Sequence, residues 1–399
     1  MSEFIVVKRK IKEFNKKINS NGDKSISIRW VLFSSLADGI SKASNLLISE
    51  DVLTAIEAIK KLGIKVSFSK NICKIHGKGF DGYKYKKKLL INANNSGTLG
   101  RLILGFLINA SNPIKMIGDK SLSKRDFKRI SDPLSRFGAS FNLRNNKNLP
   151  LTLKGSNNLK PINYVENKGS AQCKTAVIFA GMRTNGTTLI KAKKSRNHTE
   201  LLCKYLKLPV TIINKKNHDL IKVKRVKKIK PLHYRIPSDI SSSAFFIVLT
   251  ALSKNSKLII KNVNINPSRI GLIAILKKMG IKIIFRNKKE YKGEKIADIK
   301  IEGTNKIKSI NCPSSLNSSA IDEFLVIFLI AAKAKGISYF KGLSELNQKE
   351  SPRLEWGSKI LNKMGIKTIT TKNSIKIFGN PNLKIDKKII IKNFLKDHR

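Results

Sequence analysis

The chain has 399 residues and carries 80 Lys+Arg against 26 Asp+Glu, for a formal net charge of +54. Its charged fraction of 27% is close to the roughly 25% of ordinary globular proteins, so the imbalance reflects missing acids as much as added bases. A hydrophobic fraction of 41%, with 18 Phe, supplies a large core; it excludes wholesale disorder and predicts two domains.

The longest apolar runs, 244–252 and 324–332, fall well short of the ~18 residues that a membrane span needs. The amino terminus lacks the apolar stretch and cleavage site of a secretory signal, so neither membrane attachment nor export is expected. Cys73, Cys173, Cys203 and Cys312 are widely separated and form no C-x-x-C pair, which fits reduced thiols in a cytoplasm. The five histidines show no spacing that builds a metal site on a helix. A charge of +54 favours an anionic partner. The lysines, however, are scattered with Ile and Asn through every segment, which reads as a solvated surface rather than a specific nucleic-acid face.

In chain order, the opening β run has little to pair with locally and is expected to join the later half, making the intervening domain an insertion. Gly22-Asp23-Lys24-Ser25-Ile26-Ser27-Ile28-Arg29 then leads into an apolar helix over 30–37. A turn with Lys, Ser and Arg at a helix start suits an anion, although an N-cap beside surface lysines explains the same residues. Asn94-Asn95-Ser96-Gly97-Thr98-Leu99-Gly100-Arg101 repeats the arrangement before a helix over 102–108, and the basic segment 120–129, with Arg125, precedes another helix. Neither is a Walker A loop or G-x-G-x-x-G. The design returns at Ser170-Ala171-Gln172-Cys173-Lys174 before 175–180, and at Ser195-Arg196-Asn197-His198-Thr199-Glu200 before 201–206.

The strongly basic stretch 215–230 precedes an expected domain crossing near 230–236. Asp239 with Ser241, Ser242 and Ser243 then opens a fifth apolar helix, where capping is sufficient explanation. The runs 257–261 and 373–378 read as strands. Two acids stand out against the basic background: Asp322 at the head of the apolar stretch 324–332, and Glu350 within Lys349-Glu350-Ser351-Pro352-Arg353. Acids poised among cations are candidate proton carriers; a helix cap and a surface ion pair are the alternative readings.

One phrase recurs along the whole chain: an amphipathic stretch ends at Gly63, Gly138, Gly280 or Gly365, and a short β run follows. Its physical content is a helix whose end needs a residue tolerant of positive φ, followed by a strand entering a sheet. The segment 206–211 is a fifth copy without the Gly. The copies lie 69 to 85 residues apart, too far for a solenoid, so each unit is read as a small α+β module, with five visible and a sixth incomplete.

Together the clusters resemble the 3-phosphoshikimate 1-carboxyvinyltransferases, or 5-enolpyruvylshikimate-3-phosphate synthases, over nearly the whole chain. The motifs G-D-K-S-I-S-x-R, N-S-G-T, G-D-x-S-L-x-K-R, S-A-Q-x-K, S-R-x-H-T-E, D-I-S-S-S-A-F-F, N-P-x-R-x-G, I-D-E and K-E-S-x-R-L all occur in the family's order. The forms S-A-Q-C-K and S-R-N-H-T-E are similar to the family's second class. The resemblance implies an α+β fold of two domains built from βαβαββ units, an inside-out α/β barrel type. The first domain would be discontinuous, 1–22 and 236–399, enclosing an inserted second domain, 23–235, with the active site in the cleft between them.

What the resemblance implies chemically is transfer of the enolpyruvyl group of phosphoenolpyruvate to the 5-hydroxyl of 3-phosphoshikimate, releasing phosphate, without metal or organic cofactor, by a cytoplasmic monomer. Lys24, Gly97, Arg125, Gln172, Arg353 and Arg399 would hold phosphoenolpyruvate. Lys24, Ser25, Arg29, Ser170, Ala171, Gln172, Arg196, Asp322 and Lys349 would hold 3-phosphoshikimate. Asp322 would be the base for the hydroxyl, with Glu350 and Lys24 exchanging the proton at the methylene carbon. The N-S-G-T turn further implies sensitivity to glyphosate. Family members continue beyond the D-H-R at 397–399 and carry a catalytic Lys there. The alternatives are an enzyme similar to the UDP-N-acetylglucosamine enolpyruvyl transferases, disfavoured by Ser25 and by the lack of a loop Cys in 120–129, and a noncatalytic basic nucleic-acid-binding protein, which leaves Asp322 and Glu350 unexplained.

Overall fold

Among the described residues the recurring phrase of the sequence folds into five four-stranded sheets of one design. The structure is a computed structural model and describes residues 11–385 and Asp397. The described residues form two units: 11–20, 240–289, 296–385 and 397 in the first, and 21–239 with 290–295 in the second. The passage between units thus falls at 239/240 rather than at 236, and the short segment 290–295 groups with the second unit, which the sequence did not suggest.

The second unit has three sheets. Their strand orders are His233–Arg235, Asp38–Ser44, Ile72–Lys78, Lys65–Ser69; then Leu89–Asn92, Ile114–Ile117, Asn148–Lys154, Ser140–Arg144; then Asn163–Glu166, Thr187–Lys193, His218–Lys224, Val210–Asn214. In each the first two strands are parallel, and the last two form an antiparallel hairpin beside them. Parallel neighbours require a long crossover, and a helix supplies it in the second and third sheets. The first unit repeats the pattern with Asn15–Asn19, Lys257–Asn264, Glu294–Glu302 and Ile283–Tyr291, and with Asn311–Cys312, Gly336–Phe340, Ile375–Gly379 and Thr368–Thr370. The opening strand Asn15–Asn19 lies parallel to 257–261 and belongs to the first unit.

At the helix-to-strand junctions Gly63, Gly138, Gly280 and Gly365 have φ of +85°, +116°, +88° and +83°. The copy without Gly makes the same turn with Lys207 at φ +53°, a conformation that costs a side chain with a Cβ about 1 kcal/mol. The junction geometry is therefore set by the fold rather than by the glycine.

Each unit has its own core. In the second, helices Lys24–Ser35, Gly97–Phe106 and Ala171–Arg183 meet through Phe33, Phe106 and Phe179. Phe106 and Phe179 stack at 3.8 Å, and Phe33 meets both edge-on at 6.1 and 5.3 Å. Gly105 lets the second and third of these helices approach closely, since a Cβ there would lie 2.2 Å from the Ala176 carbonyl oxygen. This packing carries the amino-terminal turns that bear the candidate residues. In the first unit Phe324, Phe328 and Phe340 form an equivalent cluster. Gly357 of helix Arg353–Lys363 packs on Phe328 of helix Phe324–Ala332, which brings Arg353 beside the residues that precede Phe324.

Candidate active site

Three of the predicted anion-binding helix starts are closed by side-chain caps. Asp23 Oδ1 accepts from the Ile26 amide at 3.0 Å, Ser96 Oγ from Leu99 at 3.3 Å and Ser170 Oγ from Cys173 at 3.2 Å. Asp239, read from sequence as the cap of the helix that follows it, reaches back to accept from the Lys24 amide at 3.2 Å. Two amides at the Lys24 turn are thus occupied by carboxylates. The anion reading of that turn rests on side chains, not on open backbone donors.

Arg29 lies one turn into the same helix and is buried. Its Nε donates to Thr199 Oγ1 at 2.8 Å, Nη1 to the Ser25 carbonyl at 3.0 Å and Nη2 to Thr175 Oγ1 at 3.4 Å; the two threonine hydroxyls are 2.9 Å apart. Burial pushes the guanidinium down to about 10 against the attraction of Glu200 and Asp23, so it remains cationic at neutral pH. The repulsion of Arg196 acts in the same direction as burial, which sets the S-R-N-H-T-E turn near Arg29. Behind them Lys174 and Glu200 form a buried ion pair at 2.5 Å. Lys24 Nζ is 3.6 Å from Asp51 Oδ2, with both side chains largely covered.

Gly97, Arg125 and Gln172 converge. A Cβ on Gly97 would lie 3.0 Å from Arg125 Nη1 and 3.9 Å from Arg101 Nη1. Arg101 Nη1 donates to Gln172 Oε1 at 2.5 Å, and Gln172 Nε2 donates to Thr98 Oγ1 at 3.1 Å. Arg101 lies over the Phe127 ring at 5.4 Å, and burial pushes its guanidinium down to about 10. Two arginines and an amide therefore surround the start of helix Gly97–Phe106, a combination suited to a small anion. Ser170 and Ala171 open the adjoining helix, half-buried, with the Ser170 amide held by Glu166 Oε2 at 2.8 Å.

The first unit carries the acids. Arg353 opens its helix almost fully buried, at 1% side-chain exposure, and each of its three guanidinium nitrogens is engaged. Nη1 is 3.3 Å from Asp322 Oδ1. Nη2 is 2.5 Å from Glu350 Oε2 and 3.0 Å from Asp397 Oδ1, and Nε is 2.9 Å from Asp397 Oδ2. Burial acts to lower the Arg353 pKa, but the hydrogen bond to Asp397 and the charges of Glu350 and Asp322 outweigh it and leave it raised. Lys349 Nζ is 4.0 Å from Asp322 Oδ1. Asp322 and Glu350, the two predicted proton carriers, thus share one cation and remain 13% and 12% exposed. Asp322 does not cap the following helix, whose first turn is preceded by Glu323. Arg353, predicted to hold phosphoenolpyruvate, faces carboxylates in this structure. Arg399 lies outside the described residues.

Sequence reasoning missed Arg101, Thr98, Thr175, Thr199 and Asp397. Arg101 stands inside the N-S-G-T-L-G-R cluster and could have been chosen as a cation one helical turn beyond Gly97. The threonines and Asp397 make contacts 24 to 170 residues away in sequence, and no local pattern signals such pairings.

Comparison with known proteins shows the family to which the chain is similar. The family model of EPSP synthase (3-phosphoshikimate 1-carboxyvinyltransferase) matches residues 8–399. The chain is 37% identical over 377 residues to a 3-phosphoshikimate 1-carboxyvinyltransferase of Bacillus cytotoxicus, covering 94% of this chain and 87% of that protein. It is also 37% identical over 380 residues to the protein of the same name from Ruthia magnifica, covering 95% and 85%. A solved EPSP synthase from Acinetobacter baumannii superposes with a TM-score of 0.82 at 34% identity, covering 92% of this chain and 82% of that one.

Proposed function

Because this chain belongs to the EPSP synthase (3-phosphoshikimate 1-carboxyvinyltransferase) family, we propose that it transfers the enolpyruvyl group of phosphoenolpyruvate to the 5-hydroxyl of 3-phosphoshikimate, releasing phosphate, in the shikimate pathway to aromatic amino acids. The observation that carries the reading is the pairing of Asp322 and Glu350 on one buried guanidinium, both still partly accessible, in a chain otherwise short of acids. Two carboxylates held by a shared cation suit one proton removal and one proton delivery.

In this reading Glu350, with Lys24, protonates the methylene carbon, so that C2 becomes electrophilic. Asp322 takes the proton of the attacking hydroxyl, and the tetrahedral adduct expels phosphate as the methyl carbon loses a proton. No nucleophilic cysteine is required, which accords with four buried thiols. Gly97, Arg101, Arg125 and Gln172 hold phosphoenolpyruvate; Ser25, Arg29, Ser170, the Ala171 backbone, Gln172 and Arg196 hold 3-phosphoshikimate, with Lys24 serving both and Lys349 supporting Asp322. Fixed cations near developing charge contribute electrostatic stabilisation, and fixed anions contribute orientation. Among the described residues no helix is long and apolar enough to cross a membrane; we place the enzyme in the cytoplasm as a monomer. The test is phosphate release that requires both substrates. Release with phosphoenolpyruvate alone, or none with both, removes the assignment.

A further inference from the structure

Three motifs remain unused by that mechanism: Ser241 in D-I-S-S-S-A-F-F, Arg269 in N-P-S-R-I-G and Glu323 in I-D-E. They lie 28 to 82 residues apart and meet in one buried network of the first unit. Arg269 Nη2 donates to Ser241 Oγ at 2.7 Å, and Ser241 Oγ donates to Glu323 Oε1. Arg269 is 1% exposed, Ser241 2% and Glu323 2%. The single hydroxyl thus accepts from the guanidinium and donates to the carboxylate, which matches its one proton and its free lone pairs.

Glu323 is the residue after Asp322. Its carbonyl accepts the amides of Val326 and Ile327 at 3.1 and 3.0 Å, so it forms the first hydrogen bonds of helix Phe324–Ala332, while its own amide is held by the Ala320 carbonyl at 2.9 Å. The other end of the turn is fixed two residues beyond Arg269: a Cβ on Gly271 would lie 2.4 Å from Ser319 Oγ and 2.7 Å from the Ala320 amide nitrogen. The segment 320–323 is therefore pinned from both sides by the 269–271 segment and by Ser241, and Asp322 is the part of it that faces Arg353. A buried carboxylate is costly unless paired and hydrogen-bonded. An apolar residue at 323 would fill the same space without that cost, but it would remove the side-chain tether between this turn and Ser241.

We propose that Arg269, Ser241 and Glu323 are positioning residues for the reaction: they set the backbone turn that aims Asp322 at the substrate hydroxyl. The proposal rests on Asp322 being the base. Misplacement of a reacting group by about 1 Å costs up to about 100-fold in rate, so the network acts on turnover rather than on substrate affinity.

The experiment compares Ser241→Ala, Glu323→Ala and Glu323→Gln with Asp322→Ala, each measured for kcat, for KM of both substrates, for 3-phosphoshikimate binding by calorimetry and for melting temperature. Expected is a fall in kcat of about 10- to 100-fold for Ser241→Ala and Glu323→Ala, with both KM values and the binding constant near wild type. Glu323→Gln, which keeps an oxygen to accept from Ser241, recovers most of the lost turnover. Wild-type kcat in Ser241→Ala and Glu323→Ala beside an inactive Asp322→Ala overturns the positioning role alone. A fall in kcat matched by weaker binding of both substrates and a lower melting temperature overturns it too, since a merely structural network predicts that pattern. Full turnover in Asp322→Ala overturns the base assignment and the proposal with it.

Discussion

Replacing Gly97 with alanine separates packing from anion binding, because the structure assigns the two effects opposite signs. Gly97 is the first residue of its helix and its φ is not in the left-handed region. Alanine there reduces the freedom of the unfolded chain and raises stability by about 0.4–1 kcal/mol. The added methyl meets Arg125 Nη1 at 3.0 Å and Leu122 Cδ1 at 3.5 Å. The first contact is too close, but the atom is the end of a flexible side chain, so the guanidinium moves by a few tenths of an ångström and the fold survives. What moves is the cation proposed to hold phosphoenolpyruvate.

Weakening one charge-assisted hydrogen bond costs at most about 1.5–3 kcal/mol, and a guanidinium that can still swing toward a small anion loses only part of it. We expect the KM for phosphoenolpyruvate to rise about three- to tenfold on that basis. Glyphosate, expected to compete with phosphoenolpyruvate, is longer and also meets the methyl directly, so its inhibition constant rises by a larger factor. Steady-state inhibition with phosphoenolpyruvate varied, alongside a melting curve, measures both. A variant with a lower melting temperature and an unaltered inhibition constant would refute the placement of this turn at the anion site.

Asp322→Ala is expected to lower kcat by at least about 100-fold, within the range for a general base, and to weaken 3-phosphoshikimate binding by a smaller factor; near-normal turnover excludes it as the base. Arg101→Lys removes the 2.5 Å contact to Gln172 and should raise the KM of both substrates by about tenfold, whereas an unchanged KM would make Arg101 a packing residue over Phe127. Asp298 accepts from Lys261, Asn262 and Asn287 at 2.7, 2.9 and 2.8 Å. Burial acts to raise its pKa, but those bonds outweigh it and leave it lowered. Its contribution is therefore present above the unfolded value near about 3.9 and is lost as pH falls through the depressed folded value. Asp298→Asn should destabilise by about 1–2 kcal/mol at neutral pH and by progressively less below about pH 4; a difference that stays constant in acid unfolding contradicts this.

How far the sequence reached depends on whether a feature is written locally. The Gly63, Gly138, Gly280 and Gly365 junctions announce a helix end and a following strand within five residues, and the structure has positive φ at all four. The apolar helices were placed correctly but entered too late: the first runs over Lys24–Ser35, so that Lys24, Ser25 and Arg29 are on the helix and not in the loop before it. Polar residues at a helix start resemble a loop because the caps and the ligands are drawn from the same residue types. The hairpin turn at Lys292 and Gly293, with φ of +51° and +86°, leads to Glu294, which meets His198 Nδ1 at 2.6 Å. That pairing joins positions 96 residues apart, and nothing near either residue announces it. The scarcity of acids was a usable signal for more than Asp322 and Glu350. Glu166, Glu200, Glu294, Asp298 and Glu323 are all buried, and each is engaged by an ion pair or hydrogen bond.

The same contrast divides the cations. The sequence has 65 Lys and 15 Arg, yet among the described residues the buried cations are Arg29, Arg183, Arg269, Arg353 and Lys174. A lysine ammonium is compact and strongly hydrated, and it remains in water when nothing compensates for burial; a guanidinium presents a planar fork that several acceptors can share. Arg353 bridges three carboxylates, Arg29 three oxygens from three segments, and Arg269 anchors the serine that holds Glu323. The net charge of +54 is therefore mostly a property of the solvated surface, and it says little about the reaction. What identifies the chemistry is the minority of positions where a cation is an arginine, or where an acid persists, because at those positions a lysine in place of the arginine would forfeit the shared geometry.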